Sequence, residues 1–400
     1  MDAPIKSQAV IKVIGVGGSG GSAINWMAQS KVKGVEFLAI NTDAQALHHS
    51  LAGQKLHIGK TTTRGLGAGM DPELGRRAAE ENQNEIRDAL KGADMVFITC
   101  GLGGGTGTGA SPIVAEIARD LGALTIAVVT KPFGFEGAQR RNIGDKGLQD
   151  LGEKVDTIIT IPNDRVLQII DQKTTLLEAF GVVNEVLRQG VQGISELITI
   201  PGLINVDFAD VKAVMKDAGS ALMGIGEGTG ESRAVDAAKA AIASPLLEVS
   251  IEGAKGLLFI VTGGRDLTMM EVNEAAKLIT EKADPNAKII FGTVINEEYK
   301  DRMRITVVAT GFGSTRPSHV SASNPAGNSV TIPKQERTVF SNIFRAGGSN
   351  QESTQGPSTP HKSVSSNRVN ATTPPPSSVT VPSEEDELDI PAFLRKKMGG

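Results

Sequence analysis

The sequence predicts an α/β protein in which a doubly wound, mostly parallel sheet is joined by a long central helix to a smaller α+β domain, with a disordered C-terminal tail. Strands alternate with helices through about residue 170, and this alternation favours a parallel sheet with helices on both faces. Apolar residues spaced three and four apart from 174 to 199 indicate one long helix. Beyond Gly311 the chain is rich in Ser, Thr, Pro, Asn and Gln. It contains few apolar side chains that could form a core, so this part is predicted to be disordered.

Five strands of the first domain are predicted from apolar runs, over residues 9–16, 35–41, 93–100, 124–130 and 157–161. Helices are expected over 23–31, 73–90 and 110–121. In a doubly wound sheet, ligands bind beyond the carboxyl ends of the strands. We therefore expect one group of loops to lie together at that edge, namely 17–22, 41–43, 65–69, 101–109, 131–137 and Asn163.

Two glycine-rich loops connect a strand to a helix and predict phosphate binding. Residues 101–109 hold six glycines in nine positions, so the backbone can approach a ligand and present free N–H groups beside a positive helix end. Gly15, Gly17 and Gly20 match the dinucleotide pattern GxGxxG, with Asp43 placed to contact a ribose. A tight strand-to-helix turn is the structural alternative for that match.

Motifs that are absent from the loops limit which phosphate-containing ligand they could bind. No loop carries the GxxxxGK[ST] pattern of P-loop NTPases. A nicotinamide oxidoreductase would leave the loop at 101–109 without a role, and all five histidines lie outside the predicted loop cluster. Several separate phosphate loops favour a mononucleotide triphosphate, with an NAD-dependent oxidoreductase as the alternative.

The second half of the chain is predicted as an α+β domain that begins with an acidic segment. Asp207 is expected to cap a helix over 207–217, with Asp210 on the same face. The spacing leaves open whether these carboxylates take part in chemistry. The domain is completed by strands over 220–225, 256–261, 287–295 and 303–310 and by helices over 231–243 and 268–283.

Composition limits the function classes. The chain of 400 residues is longer than one ordinary domain, and 40% hydrophobic with 22% charged residues fits a soluble globular protein. A net charge of -4 argues against nucleic-acid binding. The single cysteine, Cys100, excludes an intrachain disulfide and a Cys-based zinc site. Because we find no signal peptide and no apolar run of about 18 residues, we expect a cytoplasmic protein without direct membrane insertion.

The end of the chain carries a short apolar cluster after the segment that we expect to be disordered, 313–383. Acidic residues precede Leu388, Ile390, Phe393 and Leu394, and basic residues follow them up to Lys397. An apolar cluster on a flexible tether is typical of a peptide that docks into a partner's groove. We therefore interpret 384–400 as a partner-binding peptide.

Two motifs carry a resemblance to a known family. GGGTGTG at residues 103–109, together with NVDFAD at 205–210, closely resembles the tubulin/FtsZ family of GTPases, over about residues 9–312. The resemblance implies a GTP-binding domain over 1–173, a connecting helix over 174–200 and an α+β domain over 201–312. It also implies bound GTP or GDP with Mg²⁺, and head-to-tail assembly into the cytokinetic ring at midcell. Leu388 to Lys397 would bind division proteins that tether the filaments to the membrane.

The resemblance also implies a role for individual residues. The phosphates would be held by Gly18, Ser19, Gly20, Gly21, Ser22, Gly105, Thr106 and Gly107, with Ala68 and Gly69 near the γ-phosphate. Glu136 and Arg140 would meet the ribose side, while Asn163 would help to hold the nucleoside. Phe180 would stack on the guanine, and Asn184 would form hydrogen bonds to it.

Asn205, Asp207 and Asp210 would reach the nucleotide of the neighbouring subunit and polarise the attacking water; no residue is assigned to a metal. Two positions depart from the common family pattern. Ser22 stands where Asn is frequent, and Asn184 stands where Asp is frequent, so the base would meet one acceptor oxygen instead of two. A filament protein that binds nucleotide without hydrolysing it is the remaining alternative.

Overall fold

The computed structural model describes residues 9–168, 170–171, 173–200, 204, 206–247 and 250–312. Asn205, the predicted linker 313–383 and the predicted peptide 384–400 lie outside these residues. The described part contains one sheet of ten strands: β1 Ile11–Val16, β2 Glu36–Asn41, β3 Gln54–His57, β4 Met95–Gly101, β5 Leu124–Lys131, β6 Thr157–Pro162, β7 Gly219–Thr229, β8 Gly256–Gly263, β9 Lys288–Ile295 and β10 Arg302–Thr310.

The strands lie in the order β3-β2-β1-β4-β5-β6-β7-β10-β8-β9. Every neighbouring pair is parallel except the two pairs that β10 makes with β7 and β8. β6 and β7 pair in parallel, with Thr157 opposite Gly219, so the sheet continues from the first half of the chain into the second. The predicted fold class, a mostly parallel α/β sheet, is confirmed.

Helices cover the sheet and connect its strands. Their bounds are α1 Gly17–Gln29, α2 Ala44–His48, α3 Lys60–Thr63, α4 Pro72–Glu81, α5 Gln83–Leu90, α6 Thr106–Asp120, α7 Ala138–Gly152, α8 Asn163–Val166, α9 Leu176–Thr199, α10 Phe208–Met215, α11 Arg233–Ile242 and α12 Met269–Thr280. Short 3₁₀ helices span Gly134–Glu136 and Glu297–Tyr299. Among the described residues, no helix is long and apolar enough to cross a membrane.

The core lies on both faces of the sheet because side chains alternate along each strand. Ile11 and Val13 of β1 join one apolar cluster together with Met27 of α1. Ile14 and Val16 of the same strand join another cluster, which includes the apolar side of α6. Burial on both faces is why these strands appear in the sequence as continuous apolar runs.

Several predicted boundaries differ from the structure. The helix expected over 73–90 is two helices, α4 and α5, which meet at Asn82. The Asn82 side chain accepts a hydrogen bond from the Gly59 N–H (2.8 Å) and donates one to Glu85 (2.9 Å). The helix expected over 207–217 is the shorter α10, and Asp207 precedes it without a side-chain capping bond among the described residues. The proposed domain boundaries stay a prediction.

Candidate nucleotide-binding site

The loops that follow β1, β4, β5 and β6 surround a cavity of about 320 Å³ at the carboxyl end of these strands. Its walls include Val16, Gly18, Ser19, Gly69, Gly101, Gly104, Gly105, Thr106, Gly107, Thr130, Glu136, Arg140, Asn163 and Phe180. The predicted segments 17–22, 65–69, 101–109 and 131–137 and Asn163 all contribute to this cavity, whereas 41–43 does not line it.

Two helices begin within the glycine loops, earlier than the sequence predicted. α1 starts at Gly17 and α6 at Thr106, so the glycines form the first turns of these helices. The first four N–H groups of a helix lack intrahelical partners and carry partial positive charge. Among the described residues, neither helix has a side-chain cap or an acidic residue in its first turn. Both helix starts are thus available to an anion.

Close backbone packing explains why glycine occupies two of these positions. A Cβ at Gly105 would lie 2.6 Å from the Ala68 carbonyl oxygen, and the Gly105 N–H donates to the Gly69 carbonyl (2.7 Å). Gly17 adopts a positive φ of 73°, and a Cβ there would lie 2.9 Å from the Gly107 nitrogen. These contacts hold three glycine-rich segments together around the cavity.

Two polar atoms at the cavity are buried without a hydrogen-bond partner among the described residues: Arg140 Nε and Asn163 Oδ1. Another nitrogen of the Arg140 guanidinium, Nη1, is engaged, since it donates to the Glu136 carboxylate. Buried polar groups in folded proteins are nearly always hydrogen-bonded, so orphaned ones at a cavity wall indicate the place of a polar ligand.

A second cavity, of about 1060 Å³, shares Gly18, Ser19, Thr130, Asn163 and Phe180 with the first. Most of its remaining wall is apolar and comes from α1 and α9: Trp26, Leu177, Val182, Val183 and Leu187. The residue Phe180 is 42% exposed, and its ring meets Phe133 edge to face at 5.6 Å between centroids. A partly free aromatic ring beside an apolar wall suits a planar base.

Asn184 lines this second cavity next to Glu185, whose carboxylate is already engaged. The Trp26 indole N–H donates to Glu185 (3.1 Å), and so does Arg188 Nε (2.7 Å). Burial acts to raise the pKa of Glu185, but the hydrogen bonds and the charge of Arg188 outweigh it and lower that pKa. Glu185 is therefore ionised and occupied, and it does not replace the carboxylate that Asn184 lacks.

The chain is similar to known proteins in both sequence and structure. Residues 10–171 match the model of the Tubulin/FtsZ family GTPase domain, and residues 219–313 match that of the FtsZ family C-terminal domain. The FtsZ dimer from M. jannaschii is 48% identical and superposes with a TM-score of 0.74, over 76% of this chain and 89% of that chain. This chain belongs to the tubulin/FtsZ family of GTPases.

A more distant relative shares the tubulin/FtsZ fold. CetZ2 from Haloferax volcanii, solved as a protofilament with bound GTPγS, has 22% identity and a TM-score of 0.65, over 75% of this chain and 92% of that chain. Membership of the tubulin/FtsZ family makes the chain a GTPase, so the interpretation as an NAD-dependent oxidoreductase is wrong. Asp43, which that interpretation placed at a ribose, instead caps α2 through hydrogen bonds from Gln45 and Ala46.

Most of the site residues inferred from the family line one of the two cavities: Gly18, Ser19, Ser22, Gly69, Gly105, Thr106, Gly107, Glu136, Arg140, Asn163, Phe180 and Asn184. Gly20 and Gly21 line neither. A Cβ at Gly20 would lie 2.5 Å from the Thr99 carbonyl oxygen, so Gly20 lets α1 pack closely on β4.

Thr130 and Trp26 also line the cavities, and neither is among the predicted site residues. Thr130 is the last residue of the predicted strand 124–130. Trp26 lies one helical turn after Ser22 in α1, and this spacing is the signal that could have identified it as a site residue.

The acidic residues of the FtsZ-family motif lie apart from the cavities. Asp207 and Asp210 are exposed at the start of α10 and line neither cavity. Among the described residues, no group of three or more His, Cys, Asp or Glu side chains is arranged to hold a metal ion.

Proposed function

We propose that this chain is a GTPase that assembles head to tail, and that each nucleotide site is completed by the acidic segment of the next subunit. One observation carries the proposal: the carboxylates around the cavities are engaged within the chain. Among the described residues they are Glu136, Glu178 and Glu185. Glu136 pairs with Arg140, Glu178 accepts hydrogen bonds from Thr175, and Glu185 is held by Trp26 and Arg188.

The cavity pair is suited to bind the nucleotide, but the described residues of its walls supply no free carboxylate to orient water. In our proposal the phosphates lie on the first turns of α1 and α6, at Gly18, Ser19, Gly20, Gly21, Ser22, Gly105, Thr106 and Gly107. Glu136 and Arg140 meet the ribose, and Asn163, Phe180 and Asn184 hold the guanosine. The two orphaned atoms, Arg140 Nε and Asn163 Oδ1, support this placement.

The acidic segment supplies what the cavities lack. Asn205, Asp207 and Asp210 of one subunit orient the attacking water at the γ-phosphate held by another. Phosphoryl transfer depends mainly on positioning and charge control, so completing the site at a contact between subunits makes hydrolysis depend on assembly. Because a head-to-tail contact need not close on itself, such subunits form filaments.

Mg²⁺ would bind chiefly through phosphate oxygens and water, with at most one or two protein carboxylates. This mode of binding requires no cluster of acidic ligands in the free protein. The filaments would form the cytokinetic ring at midcell in the cytoplasm. Residues Leu388 to Lys397 would recruit the division proteins that tether the ring to the membrane.

Complementation between two inactive variants tests the shared site. Asp210→Ala should bind GTP without turning it over, and Ser19→Tyr should fill the cavity and block GTP binding. Each should be inactive alone. A mixture should recover activity, because Ser19→Tyr subunits supply Asp210 to the GTP held by the others. Glu274→Ala, an exposed acidic position on α12, serves as the control and should hydrolyse GTP normally.

Phosphate release by the unmodified protein should also show a threshold in protein concentration. A turnover per molecule that stays constant on dilution, together with a mixture that stays inactive, would rule out the shared site. Filaments that form with GTP but release no phosphate would instead indicate a polymer that does not hydrolyse its nucleotide.

A further inference from the structure

The helix that carries Asp210 is held at its C-terminal end by hydroxyl groups from two strands. The Thr157 hydroxyl, at the start of β6, donates to the Met215 carbonyl. The Thr310 hydroxyl, at the end of β10, lies within hydrogen-bond distance of the Val214 carbonyl (3.3 Å) and of the Gly256 carbonyl (3.4 Å), and shares its proton between them. The last carbonyl groups of a helix have no intrahelical partner, so these bonds fix the end of α10 on the sheet.

The residues just before α10 are held by a third threonine, Thr293 of β9. The Ile204 N–H donates to the Thr293 hydroxyl (3.1 Å), and the Thr293 N–H donates to the Ile204 carbonyl (3.4 Å). Gly292 permits this approach, because a Cβ there would lie 2.3 Å from Leu197 and 3.1 Å from Val206. β9 ends the strand order, and its Thr293 bridges to Ile204, which lies just before the acidic residues.

Within the described part of the chain, the carboxylates themselves have no comparable support. Among the described residues, Asp207 makes no side-chain capping bond, and Asp210 is exposed on the first turn of α10. Their position therefore depends on where the backbone of α10 is held. A group that orients water must be placed to within about 0.5 Å, so small shifts of the helix change the rate.

We propose that Thr293, Thr157 and Thr310 are positioning residues that hold the acidic segment in the geometry required for hydrolysis on a neighbouring subunit. This inference rests on the proposed function. The three threonines line neither cavity, so their hydroxyl groups should affect hydrolysis without affecting GTP binding. β6 runs from Thr157 to the residue before Asn163, so one short strand connects an anchor of α10 to the nucleotide cavity of the same subunit.

Thr293→Val and Thr157→Val test the anchors, since valine keeps the shape and removes the hydroxyl. Turnover per polymerised subunit should fall about tenfold, whereas GTP affinity of the dilute protein should stay unchanged. Thr293→Ser and Thr157→Ser retain the hydroxyl and should restore turnover. Thr306→Val is the matched control, because Thr306 is a buried threonine of β10 without a hydrogen bond to α10 among the described residues.

A double variant separates positioning from a general loss of structure. If Thr293 acts through Asp210, adding Thr293→Val to Asp210→Ala should lower turnover no further. Normal turnover per polymerised subunit in both valine variants would overturn the inference, and so would an equal loss of GTP affinity or a full further loss in the double variant. Failure of the proposed function is distinguishable, because it appears in the unmodified protein as turnover without a concentration threshold.

Discussion

The hydroxyl oxygens of Thr42 and Thr106 lie 2.6 Å apart, and both side chains are buried. Thr42 follows the end of β2, and Thr106 is the first residue of α6. Their hydrogen bond thus fixes the start of α6, the helix that we propose to face the phosphates, to the neighbouring part of the sheet.

Thr42→Val should weaken both the fold and the site, because it leaves the Thr106 hydroxyl buried without this partner. We expect the free energy of unfolding to fall by about 1–2 kcal/mol, measured in urea, and the affinity for a fluorescent GTP analogue to fall several-fold. Thr42→Ser keeps the hydroxyl and should resemble the unmodified protein. Unchanged stability and affinity in Thr42→Val would contradict this role.

Much of the sheet could be predicted because its strands are apolar on both faces and end in polar or glycine-rich loops. β3 could not be predicted, because its sequence, QKLH, is mostly polar. This strand lies at an edge of the sheet, where it is the first in the strand order. α7 was missed because glycines interrupt its pattern. One of them, Gly147, is required by packing on α6, where a Cβ would lie 2.2 Å from Thr108.

The candidate site was predicted in part from glycine loops and in part from family motifs. The loops suggested helices that begin after the glycines, because glycine is unfavourable within a helix. In the structure the first turns contain the glycines, since a helix start that faces a ligand needs space and free N–H groups more than it needs helix propensity. Glu136 and Glu178 are engaged by near neighbours in the sequence, Arg140 and Thr175. The bond from Trp26 to Glu185 is a tertiary contact that no sequence pattern displays.

Gly18→Ala tests whether the first turn of α1 contacts the nucleotide. A Cβ at Gly18 meets no protein atom within 4 Å, yet Gly18 lines both cavities. We expect normal folding, a slightly more stable helix and GTP affinity reduced about tenfold or more, since the methyl group would occupy space needed by a phosphate. Gly152→Ala, equally open at the end of α7, is the control and should bind GTP normally. Equal affinity in both variants would argue against contact at α1.

The only thiol of the chain reports on opening of the core. Burial of Cys100 in β4 raises the pKa of its thiol to about 11, so about a thousandth of it is ionised at pH 8 while it stays buried. We expect Ellman's reagent to label the folded protein slowly and the urea-unfolded protein rapidly. GTP should slow labelling further, because a ligand that binds only the folded state suppresses opening. Rapid native labelling would show that β4 is more accessible than its burial indicates.

A buried arginine forms ion pairs with two carboxylates in the second half of the chain. The Arg233 guanidinium, on α11, pairs with Asp266 and with Glu271 of α12. Glu271 also accepts hydrogen bonds from Thr268 in the capping box that starts α12. The hydrogen bond from Arg233 is the main cause that lowers the pKa of Glu271 from 4.5 to about 2.

Acid should therefore destabilise the protein partly through Glu271. Between pH 4.5 and 2 the unfolded chain binds a proton at this carboxylate and the folded chain does not, so its stabilising contribution is complete above pH 4.5 and is lost as the pH falls toward 2. Glu271→Gln should lower stability at pH 7 and make the free energy of unfolding less dependent on pH in that window, measured by urea denaturation. Glu274→Gln, an exposed neighbour, should keep the original pH dependence. Parallel pH profiles for Glu271→Gln and the unmodified protein would show that the Arg233 pair does not set acid stability.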